Sequence, residues 1–437
     1  MGLRDPQRGG RRARAGPARG DAGAPPRRRS PGRLSRILNL ALLRLPDLRW
    51  LGAGTLLNSV GMMGEVVVLG WLALELTDSP FLVGAAMGCR ALPLAFVGVP
   101  AGVLADRVPR QHLLVATGVG QAIMAGLMGT LTLLGVVTLG HLMVLTFGAG
   151  ALRGVEHAAR QSYAHDVVGA SALVNGLAVL GIAMRAGWLL GSLGVGALIA
   201  HLGSGHAYLA VATAYLAGGL ALLPARTATP APEGETDSLW RGVTGFVAAV
   251  RDDPTLLVLM LLTAGAEVLG FAHQALLPSL SRDVLQTGPE GLGAMNAARA
   301  VGGILALAVS MAGATRGGGA LFVGVLVAFG ASLIALGAAP YLLGFAGVAA
   351  IVVMANAAGA LADLLAQSLL QLSVPHHLRG RAGGAWVVAI GFAPLGQLQI
   401  GALASLFGVS AALGTSGLAL VALAGATALL YPRLRAL

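Results

Sequence analysis

Runs of about twenty apolar residues with few charges recur along almost the whole chain, and this pattern restricts the fold more than any other feature. Helices of that length cross the roughly 30 Å hydrocarbon core of a bilayer. Of the 437 residues, 56% are hydrophobic and 11% are charged, whereas about a quarter are charged in soluble domains. One soluble core could not bury so much apolar side chain, so we expect an all-α membrane protein.

The apolar runs divide into twelve candidate spans, six on each side of a polar stretch. The spans are Leu51–Leu74, Phe81–Ala105, Leu113–Leu139, Leu142–Tyr163, Ala172–Ala200, Ala207–Leu223, Thr255–Leu280, Gly291–Ala314, Ala320–Ala338, Tyr341–Leu372, Ala382–Leu406 and Val409–Tyr431. The predicted organisation is a disordered tail rich in Arg, Pro and Gly, a six-helix bundle, a linker and a second six-helix bundle, over residues 1–45, 46–223, 224–253 and 254–437.

Arginine placement gives the orientation, because cytoplasmic loops of membrane proteins carry the excess of positive charge. The tail, the polar linker, the C-terminus and the loops after spans two, eight and ten all hold Arg and fall on one side. The other side holds only Arg282. We therefore expect both termini in the cytoplasm, with the tail and linker on that side.

The basic tail carries much of the net charge of +11. It lacks the apolar core of a signal peptide. Three interpretations are open: a solvated segment attracted to anionic lipid, an over-extended start, or a nucleic-acid-binding arm. Because the charge lies outside the spans, membrane topology explains it better than nucleic acid does.

The two halves repeat a short pattern at one constant spacing. Pro80, Gly84, Arg90 and Arg107 match Pro289, Gly293, Arg299 and Arg316. Arg within an apolar span is rare, so the Arg90–Arg299 match carries most of the weight. The pattern indicates an internal duplication with parallel halves and a site between them near the midplane.

Five short motifs occur in order along the chain. They are Gly102-Val-Leu-Ala-Asp-Arg-Val-Pro-Arg-Gln111, Arg90-Ala-Leu-Pro93, Ala159-Arg-Gln-Ser162, Leu378-Arg-Gly-Arg381 and Ala393-Pro-Leu-Gly396. The first resembles the cytoplasmic signature of major facilitator transporters. The others resemble the subgroup that contains enterobactin exporters and related drug exporters.

The resemblance implies the major facilitator fold, twelve transmembrane helices in two pseudo-symmetric six-helix halves. It also implies a conformational latch made by Gly102, Asp106, Arg107 and Arg110. The Asp106 carboxylate would lie against the N-terminal end of span eleven, near Arg381, and hold the halves together on the cytoplasmic side.

Two further signatures of the family are only partly present. Arg153, with Glu156 three residues later, resembles the proton-linked signature, although Glu156-His157 replaces the usual Gln-Gly. A second set, Gly187, Gly191, Gly194 and Gly196, resembles the antiporter signature, but Ser192 stands at its proline position and Val195 at a glycine position. The direction of transport is therefore less well specified than the fold.

Charged residues inside the spans are the candidates for coupling. Glu65 and Glu267 lie near the middle of spans one and seven. A carboxylate enclosed in a low-dielectric cavity can exchange a proton near neutral pH. The Arg153–Glu156 pair shares a helix face and is a third candidate. The alternative is that each Glu is paired structurally with an Arg.

Cavity-lining candidates are Asn58, Arg90, Arg185 and Arg299, and Arg90 or Arg185 could meet Glu65. The alternative for Arg90 and Arg299 is a structural brace. Asn58, Asn296, Asn356, Asp363 and Gln397 are equally compatible with hydrogen bonds that join helices.

We therefore predict a proton-linked exporter of an amphipathic small molecule such as a drug, siderophore or secondary metabolite, monomeric, in contact with membrane lipids and located in the cell membrane. An importer or symporter on the same fold and a non-transporting sensor remain alternatives. An enzyme is not expected, since the sequence has no phosphate-binding loop, no His-Glu-x-x-His motif and no serine nucleophile motif. No cofactor, metal or nucleic-acid partner is predicted.

Overall fold

The computed structural model describes residues 45–225, 251, 254–311, 318–373, 386 and 388–436. All of these belong to one compact unit. The predicted tail, most of the predicted linker, and Arg316, Arg379 and Arg381 lie outside the described residues.

The described elements are helices of several kinds, numbered in chain order. They are α1 (Pro46–Thr77), α2 (Pro80–Arg107), α3 (Arg110–Leu133), a long helix Leu139–Leu220, α7 (beginning at Pro254), α8 (Gly288–Met311), α9 (Gly318–Leu342), α10 (Gly344–Leu372), α11 (Ala393–Phe407) and α12 (Val409–Leu430), with a short 3₁₀ turn at Pro432–Ala436.

Two glycines divide the long helix into three pieces. Gly169 has φ 71° and ψ 166°, and Gly203 has φ 83° and ψ 169°. A positive φ with an extended ψ is essentially restricted to glycine. The chain therefore turns at single residues where the sequence predicted loops, and the pieces are α4 (139–168), α5 (170–202) and α6 (204–220).

Within the described part, nine helices are long and apolar enough to cross a membrane. The twelve spans expected from the sequence fit this helix order, because the count of nine treats α5 and α6 together and leaves out α2 and α4. The architecture is that of an all-α, multi-pass membrane protein.

Helix α7 is irregular where the sequence predicted a continuous span. It is α-helical over Pro254–Gly265, π-helical over Ala266–Gly270 and 3₁₀ over Phe271–Leu276. An α-helical turn at Leu277–Ser279 and a second π turn at Leu280–Val284 complete it. Single π turns are frequent at functional sites, and non-helical backbone at membrane depth is tolerated where it lines a cavity.

Helices before residue 225 meet helices after residue 254 through two matching glycine contacts. A Cβ placed on Gly84 of α2 would lie 2.2 Å from the Gln397 carbonyl oxygen of α11. A Cβ on Gly293 of α8 would lie 2.6 Å from the Ser192 carbonyl oxygen of α5. Glycine is therefore required at both positions for the backbones to approach this closely.

Each contact has a second glycine one turn away on the partner helix. Cβ atoms on Gly401 and Gly196 would lie 2.8 Å from the carbonyl oxygens of Pro80 and Pro289, respectively. The positions that repeat in the sequence, Pro80 with Gly84 and Pro289 with Gly293, thus make equivalent contacts. We call these the α2–α11 contact and the α5–α8 contact.

Both contacts lie at the end of the bundle that contains Ser79, which we call the Ser79 end. Polar contacts join α1 to α7 and α2 to α11 there. Arg282 forms an ion pair with Asp78 at 2.9 Å and donates a hydrogen bond to the Leu74 carbonyl oxygen. The Phe81 amide donates to Ser405 Oγ at 3.1 Å. This end is therefore closed by backbone contact and ion pairing.

Candidate functional site

A buried polar cluster surrounds Glu65 within the first six helices. Its Oε2 accepts a hydrogen bond from Tyr215 at 2.6 Å and lies 3.3 Å from Arg90 Nη2. The sequence suggested Arg90 or Arg185 as the partner of Glu65, and Arg90 is the one that contacts it. Both side chains are almost fully buried. An ion pair and a hydrogen bond therefore join α1, α2 and α6 at this point.

Arg153 and Glu156, predicted as a possible pair, bind differently. The Glu156 carboxylate accepts a hydrogen bond from Arg160, one turn later on α4. Arg160 also donates to Thr55 Oγ1 on α1. Arg153 Nη1 is buried and has no hydrogen-bond partner within the described part of the chain. A four-residue separation places Arg160 on the same helix face as Glu156, in a position from which it also reaches Thr55 of α1.

A second polar network lies among the later helices. Arg299 Nη1 donates to Asn296 Oδ1 at 2.6 Å, and its Nε lies 3.4 Å from Asn356 Oδ1. Asn356 contacts His273 Nε2 at 3.4 Å, and the other ring nitrogen of His273 lies 2.7 Å from the Gly270 carbonyl oxygen. This network joins α7, α8 and α10, which fits the bracing role considered for Arg299.

A cavity of about 320 Å³ lies between α2 and the later helices. Among the described residues, Ala91 of α2 lines it from the first six helices. The described lining residues from α7, α10 and the segment leading into α11 include Glu267, Phe271, Gln274, Asp363, Trp386 and Gln397. Asp363 and Gln397, two of the polar positions noted in the sequence, therefore do line a cavity.

Two carboxylates face this cavity in different settings. Asp363 Oδ1 accepts a hydrogen bond from Trp386 Nε1 at 2.8 Å. Glu267 has no hydrogen-bond or ion-pair partner among the described residues and lies on the π turn of α7. Close packing fixes this turn against α11, because a Cβ on Gly396 would lie 2.6 Å from Val268 Cα.

The four cavity candidates from the sequence occupy other positions. Asn58 donates to Gln121 Oε1 at 3.2 Å and joins α1 to α3. The Arg185 guanidinium lies 6.0 Å from the Trp188 ring centroid and against Gly303 of α8. Arg90 and Arg299 bond within the two polar networks. Thus none of the four is among the described residues that line the cavity.

The predicted latch falls partly outside the described residues. Gly102 and Asp106 belong to helix α2, and the surroundings of the Asp106 side chain lie outside what the structure describes. Helix α2 ends at Arg107, whose side chain is exposed. Arg110 Nη1 lies 2.6 Å from both oxygens of Asp166, which joins α3 to α4. A contact between Asp106 and span eleven stays a prediction.

The glycines of α5 divide by the helix they face. Gly187 and Gly191 pack directly against the backbone of α1. Cβ atoms at these positions would lie 2.4 and 2.3 Å from the carbonyl oxygens of Leu56 and Val60, respectively. Gly196 faces α8, and Gly194 has no atom within 4 Å of its Cβ position. The motif therefore serves packing inside the first bundle and across to the second.

This difference gives a matched pair of variants. Gly191→Ala is expected to lower the free energy of unfolding by about 1–3 kcal/mol, because the added methyl group overlaps the Val60 carbonyl. Gly194→Ala should be neutral or slightly stabilising, since alanine is the better helix former by about 1 kcal/mol. Thermal unfolding of the purified protein in detergent measures both, and equal midpoints for the two variants would refute the assignment.

Three further candidate residues, Tyr215, Trp386 and His273, were not predicted from the sequence. Tyr215 and Trp386 each place one polar atom on a buried carboxylate, and His273 is completely buried. A polar aromatic or a histidine inside an apolar span is the signal that could have identified them.

Comparison with known proteins agrees with this architecture. The family model of the Major Facilitator Superfamily matches residues 51–396. The nucleoside transporter NupG has a similar structure, with TM-score 0.72, 14% identity and coverage of 88% of this chain and 99% of that one. A peptide transporter POT in complex with sulfate gives TM-score 0.71, 14% identity and coverage of 89% and 95%.

A bacterial homologue of the human lysosomal transporter Spinster, in an inward-facing and unoccupied conformation, gives TM-score 0.62, 16% identity and coverage of 89% and 96%. The search of curated protein sequences found no match. The family model, together with the fold, points to a multi-pass membrane protein of the transporter class rather than an enzyme. The chain belongs to the Major Facilitator Superfamily.

Proposed function

We propose that the protein is a proton-linked secondary transporter that exports an amphipathic small molecule by alternating access. The resemblance to the exporter subgroup and the arginine distribution support a cell-membrane location with both termini in the cytoplasm. On this proposal the Ser79 end faces outward and the Arg107 end faces the cytoplasm. The working unit is a monomer.

The observation that carries the proposal is the position of Glu267. Its carboxylate lies on a π turn at membrane depth, faces a cavity and has no partner in the described part of the chain. Ionisable groups in such positions mark proton and substrate pathways in membrane proteins. The second acid, Asp363, gives the cavity two carboxylates in its lining.

Glu65 suits coupling less well. Its carboxylate is already bonded to Tyr215 and Arg90, and it is not among the described residues that line the cavity. Releasing it would leave Arg90 and the nearby Arg153 without a counter-charge. We therefore assign Glu65 to the structure of the first bundle, and coupling to Glu267.

Alternating access requires that one end opens while the other closes. The two glycine contacts at the Ser79 end bring backbone against backbone, so we expect them to separate and re-form as rigid surfaces. The predicted latch residues Gly102, Asp106, Arg107 and Arg110 would perform the opposite closure at the Arg107 end.

Everted membrane vesicles with an internal pH dye and an imposed proton gradient test the proposal. Adding a transported compound from a panel of lipophilic cations, siderophores and antibiotics should release protons. Glu267→Gln should abolish this release, because glutamine cannot carry the proton, whereas the exposed variant Glu290→Gln should keep it. Folded amounts are matched by gel filtration.

The remaining outcomes separate the alternatives. Release that persists in Glu267→Gln but stops in Glu65→Gln or Glu156→Gln would overturn the assignment of the coupling acid. Proton movement in the same direction as the compound would establish a symporter, which the Ser192 departure from the antiporter signature leaves open. If no compound of the panel causes proton release, the non-transporting sensor is favoured.

A further inference from the structure

We infer that the cavity beside Glu267 recognises an organic cation, an amine or quaternary ammonium attached to an aromatic or branched apolar body. This inference rests on the proposed function for its role as the transport site. The binding itself can be tested without transport.

Charge is the first argument. Two carboxylates, Glu267 and Asp363, line the cavity, and its described lining residues include no Arg or His. The chain has no Lys. Arg90 bonds Glu65, and Arg299 bonds Asn296 and Asn356, away from the cavity. Carboxylates in a cavity whose described lining holds no cation favour a positively charged ligand, since a buried charge is costly unless it is paired.

Unused acceptor capacity is the second argument. Glu267 makes no hydrogen bond within the described residues, so both of its oxygens are available. Asp363 uses Oδ1 for the Trp386 indole, and no described group bonds its Oδ2. The indole fixes the Asp363 side chain while leaving one oxygen toward the ligand. Both acids therefore have carboxylate oxygens that are available to accept hydrogen bonds from a ligand.

Shape and surface are the third argument. The cavity volume of about 320 Å³ falls at the lower end of the roughly 300–1,000 Å³ of small-molecule sites. Phe271 and Trp386 contribute aromatic surface, and Ala272, Ile390 and Ala393 contribute aliphatic surface. Aromatic faces attract cations through the ring quadrupole. An apolar body with a central positive charge thus fits the lining better than a sugar, a phosphate or a carboxylate.

A pair of ions with the same shape and opposite charge tests the inference. Equilibrium dialysis of the purified full-length protein in lipid nanodiscs, with empty nanodiscs subtracted, measures binding of radiolabelled tetraphenylphosphonium and tetraphenylborate. We expect saturable binding of the cation and none of the anion. Glu267→Gln and Asp363→Asn should each weaken cation binding by about tenfold or more.

The controls keep the test decisive if a variant misfolds. Asp363→Glu retains the charge and should bind within about threefold of the native protein, and Glu290→Gln, at an exposed site, should bind unchanged. Equal binding of cation and anion would overturn the inference without any variant. So would unchanged cation binding in both acid variants, or no saturable binding of tetraphenylphosphonium or benzyltrimethylammonium.

Failure of transport is a separate outcome. Cation binding without proton release in vesicles would refute the proposed coupling and leave the cation site intact. Proton-coupled transport of an anion or a neutral compound, without cation binding, would refute the cation site and leave the transporter.

Discussion

Replacing Glu65 by glutamine is expected to lower the free energy of unfolding by about 3–5 kcal/mol, because removing one partner of a buried ion pair leaves the other charge unpaired. Arg90 would lose the carboxylate that lies 3.3 Å away, and among the described residues its Nε and Arg153 Nη1 already have no hydrogen-bond partner. Two like charges would then remain in one low-dielectric region. Thermal and denaturant unfolding in detergent, followed by tryptophan fluorescence, measures the loss.

The double variant Glu65→Gln/Arg90→Gln separates charge from shape. It should recover part of the stability, since it removes the uncompensated cation together with its partner. Glu290→Gln is the matched control, because Glu290 is exposed and its ion pair, with His201 at 3.4 Å, is an exposed one. A loss below about 1 kcal/mol in Glu65→Gln, the value expected of a surface pair, would show that the cluster does not stabilise the first bundle.

The sequence predicted the helices better than their breaks. Spans such as Leu51–Leu74 lie within the observed α1, because an apolar run of this length must be helical in a bilayer. The turns at Gly169 and Gly203 could not be located in advance. The chain has 66 glycines, and packing against neighbouring helices decides which of them adopt a positive φ.

The candidate site was predicted only in part. Glu267 and Asp363 were identifiable as polar residues in apolar spans, but the π turn under Glu267 depends on how α7 meets α11. The partner of Glu65, Tyr215, lies 150 residues away, so no local spacing could indicate it. Local spacing suggested Glu156 with Arg153, whereas Arg160 is the residue that bonds it.

The repeat could be recognised in the sequence, but the helix contacts that it makes could not. Pro80 with Gly84 and Pro289 with Gly293 indicated duplication, and Ser192 was interpreted as a departure from the antiporter signature. In the structure the Ser192 carbonyl oxygen meets Gly293 as the Gln397 carbonyl oxygen meets Gly84. A proline at this position would supply the same carbonyl, so the departure leaves the α5–α8 contact intact.

Gly84→Ala and Gly293→Ala are each expected to open the Ser79 end. The added methyl groups would lie 2.2 and 2.6 Å from carbonyl oxygens of the partner helices, and backbone atoms cannot move aside as a flexible side chain does. Overpacking costs about 1–3 kcal/mol, which corresponds to a shift of roughly 5- to 150-fold in a two-state equilibrium. The ratio of closed to open molecules should fall by that factor.

Crosslinking across the α5–α8 contact measures this shift. His201 and Glu290 are exposed and their side chains lie 3.4 Å apart, so cysteines at both positions should react quickly with a short bifunctional thiol reagent. The background variant Cys89→Ala removes the free native thiol. Crosslinking should slow by about fivefold or more with either glycine variant, and Gly194→Ala, which has open space at its Cβ position, should leave the rate unchanged.

The Gly84 variant is the more stringent of the two. It alters the α2–α11 contact, whereas the cysteines report on the α5–α8 contact, so slower crosslinking requires that both contacts open together. An effect of Gly293→Ala without any effect of Gly84→Ala would show that the contacts move independently and would contradict rigid rocking of two halves. Slower crosslinking in both variants would show that the duplicated Pro–Gly pairs form one gate.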